Sequence, residues 1–113
     1  GAGLTQSELE SKKIADLVLD RVEDACPDLF TQSRGDSWRS GEIWRRNYAD
    51  LALWVTDEGS VRFVDLARGG GNRVVIGRAD DWVSAPQKLK CWRKDGRAYV
   101  ELEGGLKPKR GQP

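Results

Sequence analysis

The alternation of apolar and polar positions divides the chain into one helical segment followed by a series of short strands. Between residues 4 and 27, Ile14, Leu17, Val18, Val22 and Ala25 recur at three- and four-residue spacing. That period gathers them into one stripe of an amphipathic helix, with Lys12, Lys13, Asp16, Asp20, Arg21 and Asp24 on the remaining surface. Ser7 and Glu10 have the spacing of a capping box. Pro27 predicts a stop near Ala25 or Cys26, because the residue before proline is pushed out of the helical region.

From Arg34 onward the runs are short, alternating and punctuated by glycine and aspartate. Ser37–Arg39 and Glu42–Arg45 flank Ser40-Gly41, a tight hairpin. Asp50–Thr56 and Val61–Leu66 flank Asp57-Glu58-Gly59-Ser60. With Glu58-Gly59 as a two-residue loop, Leu51 faces Leu66, Leu53 faces Val64, and Trp54 meets Phe63 on the opposite side. Apolar residues on both sides predict the central hairpin of a sheet, with Trp54 and Phe63 in the core and Asp65 anchoring an arginine of the preceding hairpin. Gly69-Gly70-Gly71-Asn72 reads as a loop, Arg73–Ile76 as a strand, and Asp80–Val83 as one helical turn closed by Pro86. Lys94-Asp95-Gly96-Arg97 centres Asp-Gly in a type I′ turn. It sets Leu89 against Leu102, Cys91 against Val100 and, on the solvated side, Trp92 against Tyr99.

The predicted fold class is α+β: an N-terminal amphipathic helix packed on a small antiparallel β-sheet of hairpins, one domain over residues 4–104. Ile14, Leu17, Val18 and Val22 should cover Leu51, Leu53, Val64, Leu89, Cys91 and Val100. Gly1-Ala2-Gly3, with no initiator methionine, reads as a cloning remnant, which leaves open that the chain is a piece of a longer protein. The basic, proline-containing tail 105–113 is predicted to be disordered.

Composition narrows the chemistry. Nineteen Lys and Arg against eighteen Asp and Glu leave a net charge of +1, so any nucleic-acid face must be local. The absence of histidine removes the commonest general base and metal ligand. Cys26 and Cys91 lack CxxC spacing, so no zinc site is expected, and two reduced thiols in a cytoplasmic protein are the default. No cofactor, metal or catalytic residue is assigned, and no stretch approaches the ~20 apolar residues of a membrane span. The pattern favours a binding module over an enzyme.

Five tryptophans are many for 113 residues. Trp38, Trp44 and Trp92 each adjoin an arginine or lysine, the pairing that holds unstacked bases or other planar partners. Trp92 with Tyr99, bordered by Lys90, Arg93 and Arg97, is one candidate platform. A second is Trp38 and Trp44 with Arg34, Arg39, Arg45 and Arg46, where arginines could track a phosphate backbone or simply rim a core tryptophan. Arg68 and Arg73 bracket the glycine run, a phosphate cradle or merely a flexible loop.

The stretch from Arg34-Gly35-Asp36-Ser37-Trp38-Arg39-Ser40-Gly41 through Val61-Arg62-Phe63-Val64-Asp65-Leu66-Ala67-Arg68-Gly69-Gly70-Gly71 resembles the N-terminal, zinc-ribbon-derived domains of DNA primases from phages and mobile elements. The similarity spans about Arg34–Ile76 and lacks the family's zinc ligands, as some of its members do. It implies recruitment of single-stranded template, with Trp38, Arg39, Phe63 and Arg68 in contact with it. The expected function is thus a nucleic-acid-binding accessory domain for single-stranded or distorted DNA in replication. The alternative is a protein-interaction module such as an inhibitor or adaptor, because Trp, Tyr and Arg also dominate protein hot spots.

Overall fold

The computed structural model describes residues 3–31, 33, 35–39, 43–68 and 73–107. Its first element, α1, is the helix Gln6–Ala25. The helix starts at Thr5, not Ser7: Thr5 Oγ1 accepts from the Glu8 amide at 3.1 Å, and the Thr5 amide donates to Glu8 Oε1 at 3.0 Å. Thr5-x-x-Glu8 carries the same capping motif as Ser7-x-x-Glu10 and lengthens the helix by two residues. At the other end the Cys26 amide donates to the Val22 and Glu23 carbonyls, and Pro27 follows.

The buried face of α1 is Ala15, Val18, Leu19 and Val22, continued by Cys26. Ile14 and Leu17 are instead 50% and 39% exposed, which corrects the predicted stripe. Both stripes have helical periodicity, and they differ by a rotation of about one residue. Polar contacts select between them: this rotation brings Asp16, Asp20 and Glu23 to Arg46, and Arg21 to the carbonyls of Trp82 and Val83.

Five antiparallel strands follow: β1 Asp36–Arg39, β2 Ile43–Asn47, β3 Leu51–Thr56, β4 Ser60–Asp65 and β5 Arg73–Arg78, in the order β1-β2-β3-β4-β5. The predicted Ser40-Gly41 turn and the glycine run lie outside the described residues. In β3 and β4 Leu51 pairs with Asp65, Ala52 with Val64, Leu53 with Phe63 and Trp54 with Arg62, one residue away from the predicted register. The cause is the loop. Gly59 has φ +86° and its amide donates to the Thr56 carbonyl at 3.0 Å, so Asp57-Glu58-Gly59 form a three-residue connection whose last residue is left-handed. A one-residue slip turns every β4 side chain to the other face. Leu51, Leu53 and Val55 therefore join Val61, Phe63 and Asp65 beneath α1, while Val64 leaves the helix-covered face for the side of Ala52 and Trp54.

A single 3₁₀ turn, Leu66–Arg68, follows β4, and the short helix α2, Ala79–Ser84, follows β5. Gly77, at φ +116° near the end of β5, is required there, since a Cβ would stand 3.0 Å from Trp82 Nε1. That nitrogen donates to the Ile76 carbonyl at 2.8 Å, and Trp82 is fully buried.

The strands β6 Leu89–Lys94 and β7 Arg97–Leu102 form a separate two-stranded sheet in the predicted register, with Asp95 and Gly96 both left-handed. Ala98 and Val100 enter the same core as α1 and α2, flanked by Leu89 and Leu102. Asp65 ties the layers together: its carboxylate accepts from the amides of Ala67 at 3.0 Å and Ala98 at 3.4 Å.

Cys26 and Cys91 are joined in a disulfide, which corrects the expectation of two reduced thiols. The end of α1 and the inner side of β6 bring their Cα atoms to 6.1 Å, within the bridging range. The fold is thus α+β, with both helices and the β6–β7 hairpin collected on one face of the five-stranded sheet.

Candidate nucleic-acid interface

Adjacent arginines on β2 have opposite fates because side chains alternate along a strand. Arg46 faces α1 and is 8% exposed. Its Nη1 meets Asp20 at 2.7 Å and Glu23 at 3.3 Å, its Nη2 meets Asp16 at 3.3 Å, and its Nε meets Asp36 at 2.9 Å. Burial works against the charged guanidinium, but these carboxylates outweigh it and hold Arg46 well above its ordinary pKa. Burial likewise opposes the Asp16 carboxylate, yet Lys12 at 2.7 Å, Trp44 Nε1 at 3.2 Å and Arg46 together hold it below its ordinary range. Tyr48 donates to Glu23 and is raised well above its ordinary value, by burial first and then by that hydrogen bond.

Trp44 and Arg46 were both expected to touch nucleic acid. The structure places both in the layer between sheet and helix, 5% and 8% exposed, away from the outer face of the sheet.

Arg45 faces the other way. One row across the outer side of the sheet runs Ser37, Arg45, Trp54, Arg62, Val75, and the next runs Asn47, Ala52, Val64, Arg73. These nine positions hold three arginines and no acidic residue, so the domain's near-neutral total hides a basic face. At its centre lies Trp54, 6% exposed. The guanidinium carbons of Arg45 and Arg73 each stand 4.4 Å from the centroid of its ring. Cation–π contacts of this kind contribute about 0.5–2 kcal/mol each, depending on desolvation. Trp54, Ala52 and Val64 form a small cluster to which no described helix and no residue of β6 or β7 contributes.

Two donors on this face, Trp54 Nε1 and Arg62 Nε, are buried without a hydrogen-bond partner among the described residues. Each such donor costs about 1–3 kcal/mol of desolvation while unsatisfied. Arg62 and Trp54 were absent from the sequence-predicted site. Parity along β2, β3 and β4 was the available signal, and the one-residue error in the β3–β4 register hid it by setting Trp54 against Phe63. Phe63, assigned template contact by the primase resemblance, is 2% exposed on the inner face, stacked edge-on to Phe30, and is corrected to a core residue.

Trp92 and Tyr99 pair as predicted, with ring centroids 5.4 Å apart and planes 10° from parallel. Trp92 is 42% exposed, and Lys90 projects from the same side of β6. Arg93 lies on the opposite side of the strand, where Asp50 holds it at 3.0 Å. That hydrogen bond, opposed by partial burial, depresses the Asp50 carboxyl. Arg93 thus serves as a strut between β6 and the residue that precedes β3, and is removed from the platform. Arg34 and the side chains of Trp38, Arg39 and Arg68 lie outside the described residues.

Among the described residues no cluster of metal-ligating side chains is found, and no helix is long and apolar enough to cross a membrane. Comparison with protein-family models, curated proteins and solved structures finds no match to this chain.

Proposed function

We propose that the outer face of the five-stranded sheet binds the phosphate backbone of single-stranded or distorted nucleic acid, as an accessory domain in a replication or mobile-element setting. The observation that carries this reading is the cluster of Arg45, Arg62 and Arg73 around Trp54, with no carboxylate in either row. Guanidinium groups held against a ring lose less freedom when they engage an oxyanion, and their fork of donors matches phosphate oxygens. The Trp54 ring lies beneath its arginines and is no base platform. Ring surface for bases comes from Trp92 and Tyr99 on the hairpin. The primase-like segment supports the same class of partner. The domain acts by binding, without a catalytic group.

Fluorescence anisotropy of a labelled oligothymidylate, titrated with salt, tests the reading. Three neutralised phosphates give a slope of about −2 in log K against log salt for a single strand. Failure to bind at about 50 mM salt, where electrostatic contacts are strongest, rejects it. A protein partner is the second reading, favoured by the exposed Leu9, Ile14 and Leu17 on α1, and an aromatic or apolar interface would give a slope near zero. The cytoplasmic location that accompanies the proposal stands against the Cys26–Cys91 bond, because reducing compartments keep thiols free. Trapping the thiol state inside cells decides that point.

A further inference from the structure

Cys26 and Cys91 differ in their surroundings although one bond joins them. Cys26, at the end of α1, is 3% exposed and belongs to the core, whereas Cys91, in the middle of β6, is only partly buried. A cleft of about 450 Å³ lies against both, lined by Pro27 and Leu29 beyond the helix and by Leu89 and Trp92 on the strand. Among the described residues the β6–β7 hairpin shares no strand pairing with the five-stranded sheet, and a two-stranded hairpin is marginally stable by itself. Its two strands are held differently. β7 buries Ala98 and Val100, but no residue of β6 is buried to that degree. Beyond its pairing with β7, β6 is held by the disulfide and by the Arg93–Asp50 pair, whose side chains are 41% and 39% exposed and contribute little.

We propose that the Cys26–Cys91 bond is a redox-operated latch on this hairpin, opened by a small thiol that enters the cleft and attacks Cys91. The incoming thiolate bonds to Cys91 Sγ as the Cys26–Cys91 bond breaks, and the electron pair leaves on Cys26 Sγ, which takes a proton from water. A second thiolate attacks the sulfur of the attached thiol and departs with it as the small-molecule disulfide, and Cys91 Sγ leaves as a thiolate that is protonated by water. Two thiols are oxidised, and the protein gains two electrons and two protons. Exposure selects the sulfur, since Cys91 is the less buried of the two. Opening the latch leaves β6 on its pairing with β7 and on one exposed ion pair. The stacked Trp92 and Tyr99 ride on this hairpin, so reduction loosens the platform they form. The latch is independent of what that platform or the outer face of the sheet binds.

The test uses the full chain in its oxidised form, incubated without denaturant in glutathione buffers of graded thiol-to-disulfide ratio. Acid quenching, alkylation of free thiols and peptide mass spectrometry follow the exchange, and amide hydrogen exchange read by NMR follows the fold. The expected early product carries glutathione on Cys91 and the alkylating group on Cys26. On full reduction the amide protection of β6 and β7 should fall at least about tenfold more than that of β3 and β4, with the signals of α1 and the five-stranded sheet retained. Excess glutathione disulfide should restore the bond and the protection.

Glutathione on Cys26 in place of Cys91 overturns the assigned route of attack. Reduction that requires denaturant overturns the latch, since the bond is then sealed inside the fold. Equal loss of protection in the hairpin and in β3 and β4, or unfolding of the whole chain on reduction, also overturns it and makes the bond a staple for the entire domain. A bond that does not re-form in excess glutathione disulfide lacks the reversibility of a latch and overturns the proposal as well.

Discussion

Arg45 and Arg46 are neighbours in sequence on opposite faces of β2, and replacing each with glutamine should separate binding from stability. Arg46→Gln removes the cation from among Asp16, Asp20, Glu23 and Asp36, leaving the carboxylates of α1 and β1 facing one another. Breaking a buried pair costs about 3–5 kcal/mol. The side chain of Asp20 is 62% exposed, and solvent screens its share, so the lower end, about 3 kcal/mol, is expected. The urea midpoint should fall by roughly 1–2 M for a domain of this size. Oligonucleotide affinity, measured at a temperature where the variant is folded, should match the parent. Arg45→Gln should do the reverse. Its unfolding free energy should fall by about 0.5–2 kcal/mol, the worth of one ring contact and less than the Arg46→Gln loss. The salt slope should drop from about −2 to about −1.4, so that a rise from 50 to 200 mM salt weakens binding about sevenfold instead of about eighteenfold. Equal salt slopes for Arg45→Gln and the parent would refute the assignment of the outer face, and a stable Arg46→Gln would refute the cage.

The remaining expectations concern the core, the disulfide and acid. Leu53→Ala, under α1, should cost about 2–5 kcal/mol, whereas Leu17→Ala, on the solvent side, should stay within about 0.5 kcal/mol; equal losses in urea melts would mean that the helix is rotated towards the predicted stripe. The Cys26–Cys91 bond closes a 65-residue separation, so its reduction should lower stability by about 4 kcal/mol; two alkylatable thiols in the untreated protein would show that the bond is absent. Asp16 and Asp50 are held below their ordinary values, so their contribution is complete above an unfolded pKa of about 3.9 and is lost as pH falls through the lower folded values. Urea midpoints should therefore decline below about pH 4, and a flat profile from pH 6 to 2.5 would contradict the ion-pair assignments.

The parts legible in the sequence are those fixed by local chemistry. Asp95-Gly96 determines the β6–β7 register because only a type I′ turn places two left-handed residues there, and the Trp92–Tyr99 stack follows from it. Pro27 determines the end of α1 for an equally local reason. The β3–β4 register was not legible, because Glu58-Gly59 suits a two-residue loop and Gly59 suits the last position of a three-residue loop. That ambiguity of one residue moved Phe63 and Val64 to each other's faces and concealed Arg62 opposite Trp54. The rotation of α1 depended on Arg46, thirty residues beyond Asp16, and helical periodicity carries no information at that separation. The arginine list was informative as a set but blind to parity: Arg45 and Arg73 lie against Trp54 on the outer face, while Arg46 lies between sheet and helix and Arg93 pairs with Asp50.

A net charge of +1 is a poor guide to this domain because its charges are sorted by layer. The acidic residues of α1 that face the sheet converge on Arg46 and hold the helix down, so negative charge is consumed on the inner side. The two outer rows carry Arg45, Arg62 and Arg73, and none of their positions is Asp or Glu. A field at an open face depends on the charges within about 10 Å of it at ordinary salt, and a Debye length of that size barely reaches across a sheet and the layer behind it. The basic face is therefore felt locally by a polyanion, although the molecule as a whole is nearly neutral. The same sorting places the groups that stabilise the fold and the groups that would bind on opposite sides of one sheet. Substitutions at the outer face can then tune affinity without passing through the core, and this independence is what makes the Arg45 and Arg46 comparison decisive.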